Sequence, residues 1–304
     1  MTAEPVPQAG AGIRELRPSA GLSLTQLAVR RLRQDRLTLL AMGILATLGL
    51  LAVFAPVISE HVIRQSPERV DLLRTFSPPS AENLLGTDEN GRDQLARLLY
   101  GARVSMSIGF AAALINMTLG VTIGAVAAYY GRTVDDLITW FINTVRSIPG
   151  LFLLIMVGAL FRPSVEVLIV VLGLLSWPGI ARLVRGQVLS IKEREFVIAA
   201  RTIGAGDLRV IFVHILPNVV PLVITYAGID IGSIILLEST ISYLGLGVQP
   251  PTPSWGNMLS GSTRYFTQAP WLIIAPGALI WVTVLCLYLI ADGLRDALDP
   301  RLKT

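Results

Sequence analysis

Three long stretches without a charged residue constrain this chain more than any other feature of its sequence. They cover residues 37–59, 104–130 and 265–291, which are 23, 27 and 27 residues long. The hydrocarbon core of a bilayer is about 30 Å thick, and an α-helix needs roughly 20 apolar residues to cross it. Because unpaired backbone groups are costly in lipid, we expect each stretch to span a membrane as a helix.

Three further stretches are apolar but carry one ionisable group each. They are residues 137–161, 164–181 and 218–237. The first contains Arg146, the second Glu166 and the third Asp230, and Pro217 precedes the third, so we expect that span to begin near Asn218. The sequence therefore predicts an all-α, polytopic membrane protein with six transmembrane helices.

The composition excludes several classes of protein. Hydrophobic residues make up 53% of the chain and charged residues only 15%, against about 25% charged in a soluble domain. A soluble enzyme of this size could not bury that much apolar surface, and a disordered chain would be far more polar. The single cysteine, Cys286, cannot form an internal disulfide, which excludes a secreted disulfide scaffold.

Basic residues predict the orientation of the six spans. With both termini inside, the cytoplasmic segments carry 16 Arg and Lys and the outer segments carry 8, so the positive-inside rule places the termini in the cytoplasm.

The predicted parts are a cytoplasmic tail (1–36), the first span (37–59), an outer loop with an amphipathic helix (60–103), a five-helix core (104–292) with a cytoplasmic loop (185–217) and an outer loop (239–270), and a cytoplasmic tail (293–304).

The first informative loop segment is residues 84–101. Residues 88–91 have turn chemistry, and leucines then recur at positions 95, 98 and 99. The opposite face carries polar side chains: Arg92, Asp93, Gln94 and Arg97. This pattern predicts a short amphipathic helix that either lies in the membrane interface and leads into the second span or only covers the surface.

The second segment is residues 193–218, on the predicted cytoplasmic side. Small or apolar residues recur with a helical period: Phe196, Ala199, Ala200 and Ile203. Gly204 permits a turn, Asp207 suits the start of a helix, and Pro217 is expected to end the segment. An apolar face in such a loop needs a cover, which is either the membrane domain itself or a partner protein.

The third segment is the outer loop at residues 239–270. It is rich in Gly, Pro and apolar residues, and it contains Gly245, Gly247, Trp255 and Gly256. A solvated loop would be more polar. We therefore expect the loop to fold back into the protein and line a cavity, where irregular backbone is tolerated at membrane depth.

Short motifs in these segments resemble those of bacterial ABC-importer permeases, the binding-protein-dependent transport inner-membrane components. That family has Glu-Ala-Ala, three residues, Gly and later Leu-Pro. This chain reads Ile198-Ala199-Ala200, Gly204 and then Leu216-Pro217, with Ile198 in place of the family's Glu. Further fragments resemble the dipeptide/oligopeptide/nickel subfamily and its C-type permease over about residues 30–303: Leu85-Gly86-Thr87-Asp88, Gly91-Arg92-Asp93, Tyr100-Gly101-Ala102-Arg103, Tyr243-Leu244-Gly245-Leu246-Gly247, Pro253-Ser254-Trp255-Gly256, and Leu294-Arg295-Asp296 with Asp299-Pro300-Arg301.

The resemblance implies a type I ABC importer permease fold in a bacterial inner membrane. It implies half of a pore that admits di- or oligopeptides, nickel or related small solutes. The implied partners are a second, homologous permease in a heterodimer, two cytoplasmic ATP-binding subunits and an extracytoplasmic solute-binding protein, with no nucleic acid. The cytoplasmic loop 185–217 would be the coupling loop, which contacts an ATPase through these residues: Phe196, Ala199, Ala200, Gly204, Asp207, Leu216 and Pro217.

The chain has no G-x-x-x-x-G-K-[ST] motif, so we expect no ATP, metal or other cofactor on it and no enzymatic activity, with ATP and Mg²⁺ used by the partner ATPases. Arg146, Asp230 and Glu238 are candidate intramembrane or pore residues. They either pair within the protein or line a path. An ion-coupled secondary transporter that uses Asp230 is the alternative, although the sequence shows no inverted repeat. An intramembrane enzyme would need a convergent catalytic set, which we do not find.

Overall fold

The computed structural model describes residues 24–161 and 164–298. The predicted tails therefore lie partly outside the described residues, as do Arg162 and the Asp299-Pro300-Arg301 motif. The helices of the described residues are α1 (Leu24–Gln34), α2 (Arg36–Val53), α3 (Ala55–Val57), α4 (Gln94–Tyr130), α5 (Arg132–Ser147), α6 (Gly150–Leu160), α7 (Val165–Lys192), α8 (Glu195–Thr202), α9 (Asp207–Arg209), α10 (Leu216–Tyr243), α11 (Trp255–Leu259) and α12 (Trp271–Leu298). Two π-helical segments, Ile58–Ile63 and Val210–Ile215, and two 3₁₀ turns, Leu72–Arg74 and Ser262–Tyr265, complete them.

The helices within the described ranges provide five or six candidate membrane crossings. Five segments are long and apolar enough to cross a membrane: Arg36–Val53, Gln94–Tyr130, Val165–Lys192, Asp207–Tyr243 and Trp271–Leu298. The pair α5 and α6 passes the same test of length and hydropathy only when taken together, and it bends by 74°, as a broken span or a re-entrant loop does. The all-α membrane fold is thus confirmed.

The bend corrects the expectation of one straight span over residues 137–161. It falls at Ile148 and Pro149, between α5 and α6. Pro149 has no N–H to donate to the preceding turn, and its ring excludes the residue before it from the helical region. Ile148 is accordingly extended, with φ −86° and ψ 122°.

Pro217 does not break its helix, contrary to the expectation that the span begins near Asn218. Asp207–Tyr243 is one helical run, and Pro217 stands in the first turn of α10, directly after the π-helical segment Val210–Ile215. A π-helical turn has wider i→i+5 hydrogen bonds, so it accommodates the missing N–H and the bulky ring. At the other side α7 continues to Lys192, which shortens the predicted loop 185–217 to residues 193–206.

Neighbouring helices alternate in direction, which places the loops at two ends. We call the end that carries residues 54–93 and 244–270 the loop end, and the opposite end the α8 end. At the α8 end the start of α2 meets the end of α12, where Thr38 packs so closely on Gly293 that a Cβ there would lie 2.0 Å from the Thr38 hydroxyl oxygen. One core joins α4, α7, α8 and α10 near that end, and a second surrounds the buried Trp255 at the loop end.

Candidate functional site

The motif at residues 86–93 forms a tight turn at the loop end. The Asp88 carboxylate accepts hydrogen bonds from the backbone N–H groups of Asn90 and Arg92, both at 2.9 Å. Gly91 has φ +70°, and a Cβ there would lie 1.8 Å from the Asp71 carbonyl oxygen, so only glycine fits. Gly86 also has a positive φ, and Thr87 is fully buried.

The polar residues after this turn are buried, which corrects the expectation of an exposed amphipathic face. Residues 94–101 are the first turns of the 37-residue α4, not a separate interfacial helix. Asp93 caps α4 by accepting from the Ala96 N–H at 2.7 Å. The Asp88 carboxylate pairs with two buried guanidinium groups, Arg92 at 2.7 Å and Arg97 at 3.4 Å. These ion pairs allow charged side chains to be buried where their sequence pattern indicates a solvated face.

The second loop-end segment packs against the first. Residues 244–254 turn back after α10, and Ser254 with Asn257 forms a capping box at the start of α11. Trp255 is fully buried and donates its indole N–H to the Leu98 carbonyl at 3.2 Å. Gly256 lies so close to α10 that a Cβ would stand 2.5 Å from the Ser239 carbonyl oxygen. Gly245 has φ +78°, and Gly247 is buried.

Glu238 holds this second segment in place. Its side chain is 0% exposed and accepts hydrogen bonds from the hydroxyls of Ser242 at 2.7 Å and Ser105 at 3.0 Å. The same two hydroxyl oxygens accept the backbone N–H groups of Val248 and Trp255, both at 3.1 Å. A serine that donates its only hydrogen to a carboxylate presents lone pairs to a second donor. Glu238, predicted as a pore or gate residue, is thus sequestered in this conformation.

A cavity of about 250 Å³ lies between the two loop-end segments. It brings together residues far apart in the sequence, and its lining includes Asp88, Arg92, Gln94, Arg97, Gly245, Gln249 and Asn257. This agrees with the expectation that the outer loop lines a cavity. Ser105 contributes to this region without a sequence signal of its own, because it is one polar residue in an apolar span. The sequence identified Gln94 only as part of a polar helix face.

The other candidate site is α8 with the turn that follows it. The helix buries Val197 and Ala200 against the bundle and exposes Phe196 and Ala199. Ala200 therefore does not belong to the exposed face that its spacing predicts. Ile203 is 87% exposed at the end of the helix. The exposed face extends through further apolar side chains: Ile198, Leu208, Phe212 and Val213.

This exposed helix is tied to the end of α4. Asp207 accepts a hydrogen bond from the Tyr129 hydroxyl at 2.7 Å, and the Arg201 guanidinium lies 4.8 Å from the centre of the Tyr129 ring. Gly204, with φ +85°, turns the chain between Arg201 and Asp207. Leu216 and Pro217 lie within the long helix that follows, beyond this turn.

Asp230 and Arg146 do not pair with each other in the part of the chain that the structure describes. Asp230 is buried and accepts a hydrogen bond from the Asn116 amide at 2.6 Å. Arg146 is exposed near the bend between α5 and α6. An ion pair nearer the α8 end joins Arg185 to Asp135 at 2.6 Å and connects α7 to the first turn of α5. Asn116 could not be selected from the sequence, since one asparagine in an apolar span has no defining pattern.

The fold and these two sites define a multi-pass helical membrane protein with a structured loop end and an exposed helix at the opposite end. Residues 120–304 match the family described as "Binding-protein-dependent transport system inner membrane component". Residues 23–79 match the "N-terminal TM domain of oligopeptide transport permease C". The chain belongs to the binding-protein-dependent transport system inner membrane component family.

Three relatives illustrate the similarity. The dipeptide transport system permease protein DppC of Alkalihalophilus pseudofirmus is 38% identical over 91% of this chain and 90% of the relative. The DppC protein of Bacillus subtilis is 40% identical over 94% of this chain and 88% of the relative. The oligopeptide transport system permease protein OppC of Haemophilus influenzae is 38% identical over 92% of this chain and 90% of the relative.

The fold is similar to that of a solved transporter. A chain of the MetNI methionine ABC transporter, in an inward-facing conformation, matches with a TM-score of 0.56 at 19% identity, over 67% of this chain and 97% of that chain. This confirms the ABC importer permease fold. The family and the named relatives confirm the predicted function: a multi-pass inner-membrane permease of an ABC importer, which works with ATPase subunits and a binding protein.

Proposed function

We propose that this chain is one of two homologous permeases of an importer for di- or oligopeptides. The observation that carries the proposal is 38–40% identity over more than nine-tenths of the chain to relatives named as dipeptide or oligopeptide permeases. The importer draws its energy from ATP hydrolysed by separate subunits. The chain itself binds no ATP, metal or other cofactor, which is supported by the absence of a P-loop motif from its sequence.

The proposed contact with an ATPase subunit is the exposed apolar face of α8 and the turn that follows it. Among the residues that the structure describes, Phe196 and Ile198 are about half exposed at the α8 end and Ile203 is 87% exposed. Exposed large apolar side chains gathered at one end of a protein are typical of an interaction surface. Because Asp207 and Arg201 contact Tyr129 at the end of α4, a displacement of α8 is passed directly to a membrane-spanning helix.

The coupling proposal is tested in the reconstituted complex of both permeases, both ATPases and the binding protein. We expect Ile203→Asp to lower the ATPase activity stimulated by the loaded binding protein at least tenfold, because the charge must be desolvated in the contact. Ile203 makes few contacts within this chain, so the variant should fold and insert. Ile203→Leu is the matched control and should retain wild-type stimulation. Full stimulation in Ile203→Asp would refute the α8 contact.

The proposed orientation places the α8 end in the cytoplasm and the loop end outside. It is supported by the 16 basic residues on the former side against 8 on the latter. On a Cys286→Ala background, a thiol introduced at Gln249 should react with an impermeant reagent added outside. A thiol at Thr202 should react only from inside. Outside labelling at position 202 would invert the topology and remove the coupling contact.

The peptide cargo and the energy source are tested together by uptake into proteoliposomes. We expect accumulation of a labelled dipeptide with internal ATP and without an ion gradient. Asp230→Asn should retain this uptake, since the substitution removes the charge but leaves an acceptor for Asn116. Uptake without ATPase subunits, driven by a pH gradient and abolished in Asp230→Asn, would favour the ion-coupled alternative instead.

A further inference from the structure

We propose that the loop-end cavity binds a peptide group through the side-chain amide of Gln94. The proposal rests on the proposed function as a peptide importer and names a binding site within it. The peptide group belongs either to the cargo or to a loop of the docked binding protein, and both sources present the same chemistry to the cavity.

The observation that carries the proposal is a buried amide without a partner. Gln94 is 2% exposed, and its Nε2 atom has no hydrogen-bond partner in the structure. It lines the cavity of about 250 Å³. A buried polar group without a partner costs about 1–3 kcal/mol, and native proteins tolerate few of them. The unpaired amide therefore points to a ligand that supplies the missing partner.

The other amides that line the cavity are already engaged. Asn257 accepts from the Ser254 N–H at 3.0 Å and donates to the Thr252 carbonyl at 2.8 Å. Gln249 donates to the Gly245 carbonyl at 2.8 Å. Gln94 is thus the lining amide that remains available.

The charges around Gln94 select an uncharged ligand. Arg92 and Arg97 are buried, and the Asp88 carboxylate pairs with both. Glu89, whose side chain is 41% exposed at the rim, lies 3.4 Å from Arg92. Two positive charges therefore face two negative ones, and the cavity has no excess charge that would attract an ion.

A peptide group fits this wall in chemistry and in size. A primary amide offers a donor and an acceptor side by side, and an extended residue of a peptide offers its own N–H and C=O as the complementary pair. The cavity has the volume of roughly eight water molecules at about 30 Å³ each in the liquid. A segment of one or two residues can therefore enter it.

The test uses Gln94→Met in the reconstituted full complex with its binding protein and alanyl-alanine as the labelled cargo. Methionine has a similar length but cannot donate or accept a comparable hydrogen bond. We expect uptake to fall at least fivefold at limiting binding protein. Leu172→Met, a buried leucine in another part of the core, is the matched control and should change uptake by less than twofold. A wild-type complex that imports no dipeptide would refute the proposed function before any variant is compared.

Two further measurements identify the source of the peptide group: the binding-protein concentration that half-maximally stimulates ATPase activity, and uptake at saturating binding protein. If it is a binding-protein loop, Gln94→Met raises the binding-protein concentration for half-maximal ATPase stimulation at least fivefold, and saturation restores uptake. If it is the cargo, that concentration is unchanged and uptake stays low at saturation. Uptake and half-maximal concentration both within twofold of wild type would overturn the proposal and leave a cavity that holds only water.

A structural role for Gln94 is separated by thermal stability. Because the amide has no partner within the chain, Gln94→Met should keep or raise the apparent Tm of the purified complex. A lowered Tm together with lowered uptake would show that Gln94 supports the fold, and it would overturn the proposal.

Discussion

Replacement of Glu238 by alanine should open the loop that packs over the loop end. The substitution removes the acceptor shared by the hydroxyls of Ser242 and Ser105, which lie 2.7 and 3.0 Å from the carboxylate. Those hydroxyls hold the backbone N–H groups of Val248 and Trp255. A buried polar group left unpaired costs about 1–3 kcal/mol, so two of them reduce the free energy of loop opening by about 3 kcal/mol.

The opening can be measured by the reaction rate of a thiol introduced at Val248. This residue is 3% exposed, so a thiol there reacts only when the loop opens, and its rate follows the population of the open form. Since 1.4 kcal/mol corresponds to a factor of ten, a change of about 3 kcal/mol should raise the rate about 100-fold in Glu238→Ala. The background carries Cys286→Ala to remove the native thiol.

Two comparisons make this prediction refutable. A thiol at the exposed Gln249 should react equally fast with and without Glu238→Ala, because it needs no opening. Glu238→Gln keeps one acceptor oxygen and should give an intermediate rate at position 248. A rate at position 248 that changes less than twofold in Glu238→Ala would show that the carboxylate does not hold the loop.

Three further predictions follow from individual contacts. Gly256→Ala should destabilise the purified protein by about 1–3 kcal/mol, seen as a lower apparent Tm, because its Cβ would lie 2.5 Å from a carbonyl oxygen of α10. Tyr129→Phe, which removes the bond to Asp207, should reduce uptake per ATP hydrolysed more than ATP hydrolysis itself; an unchanged ratio would argue against this link. Hydrogen bonds from the Thr38 hydroxyl and from the backbone N–H groups of Thr38 and Leu37 hold the pKa of the Asp35 carboxyl below its ordinary 3.8. The helix cap that Asp35 provides is therefore intact above pH 3.8 and is lost as the pH falls through the depressed pKa. In the wild type, loss of the cap should speed hydrogen exchange in the first turn of α2 only in acid. In Asp35→Ala, exchange there should be faster than in the wild type at every pH at which the wild-type cap is intact.

The spans were predictable because the membrane imposes one simple condition on sequence. A run of about 20 apolar residues is needed for each crossing, and the predicted apolar runs fall on the five helices long and apolar enough to cross and on the bent pair α5 and α6. Ala199 and Gly204 were likewise recognisable, because their motif spacing survives although Ile198 replaces the family's usual residue. The bend at Pro149 also follows from a local rule, because proline disfavours a helical conformation at the residue before it. Hydropathy alone does not show this break.

The polar contacts were not predictable, because they depend on residues distant in sequence. Arg92 and Arg97 have the sequence pattern of an exposed helix face. Only the fold buries them beside Asp88, with which both form ion pairs. The Asp230 carboxylate accepts a hydrogen bond from Asn116, which is 114 positions away in the sequence. Pairing of this kind reverses the rule that charged residues remain in solvent, and no local pattern records it.

The sequence by itself determined the class of protein, the apolar runs and the segments that carry family motifs, since hydropathy and short motifs are local properties of the chain. Only the tertiary structure decided that the loop-end motifs enclose one cavity, that Glu238 is a buried anchor, and that Gln94, with its amide nitrogen buried and unpaired among the described residues, lines the cavity. These outcomes depend on how α4, α10 and α11 pack against each other. A contact between side chains is set by the position of both partners in space, whereas the sequence specifies each of them separately.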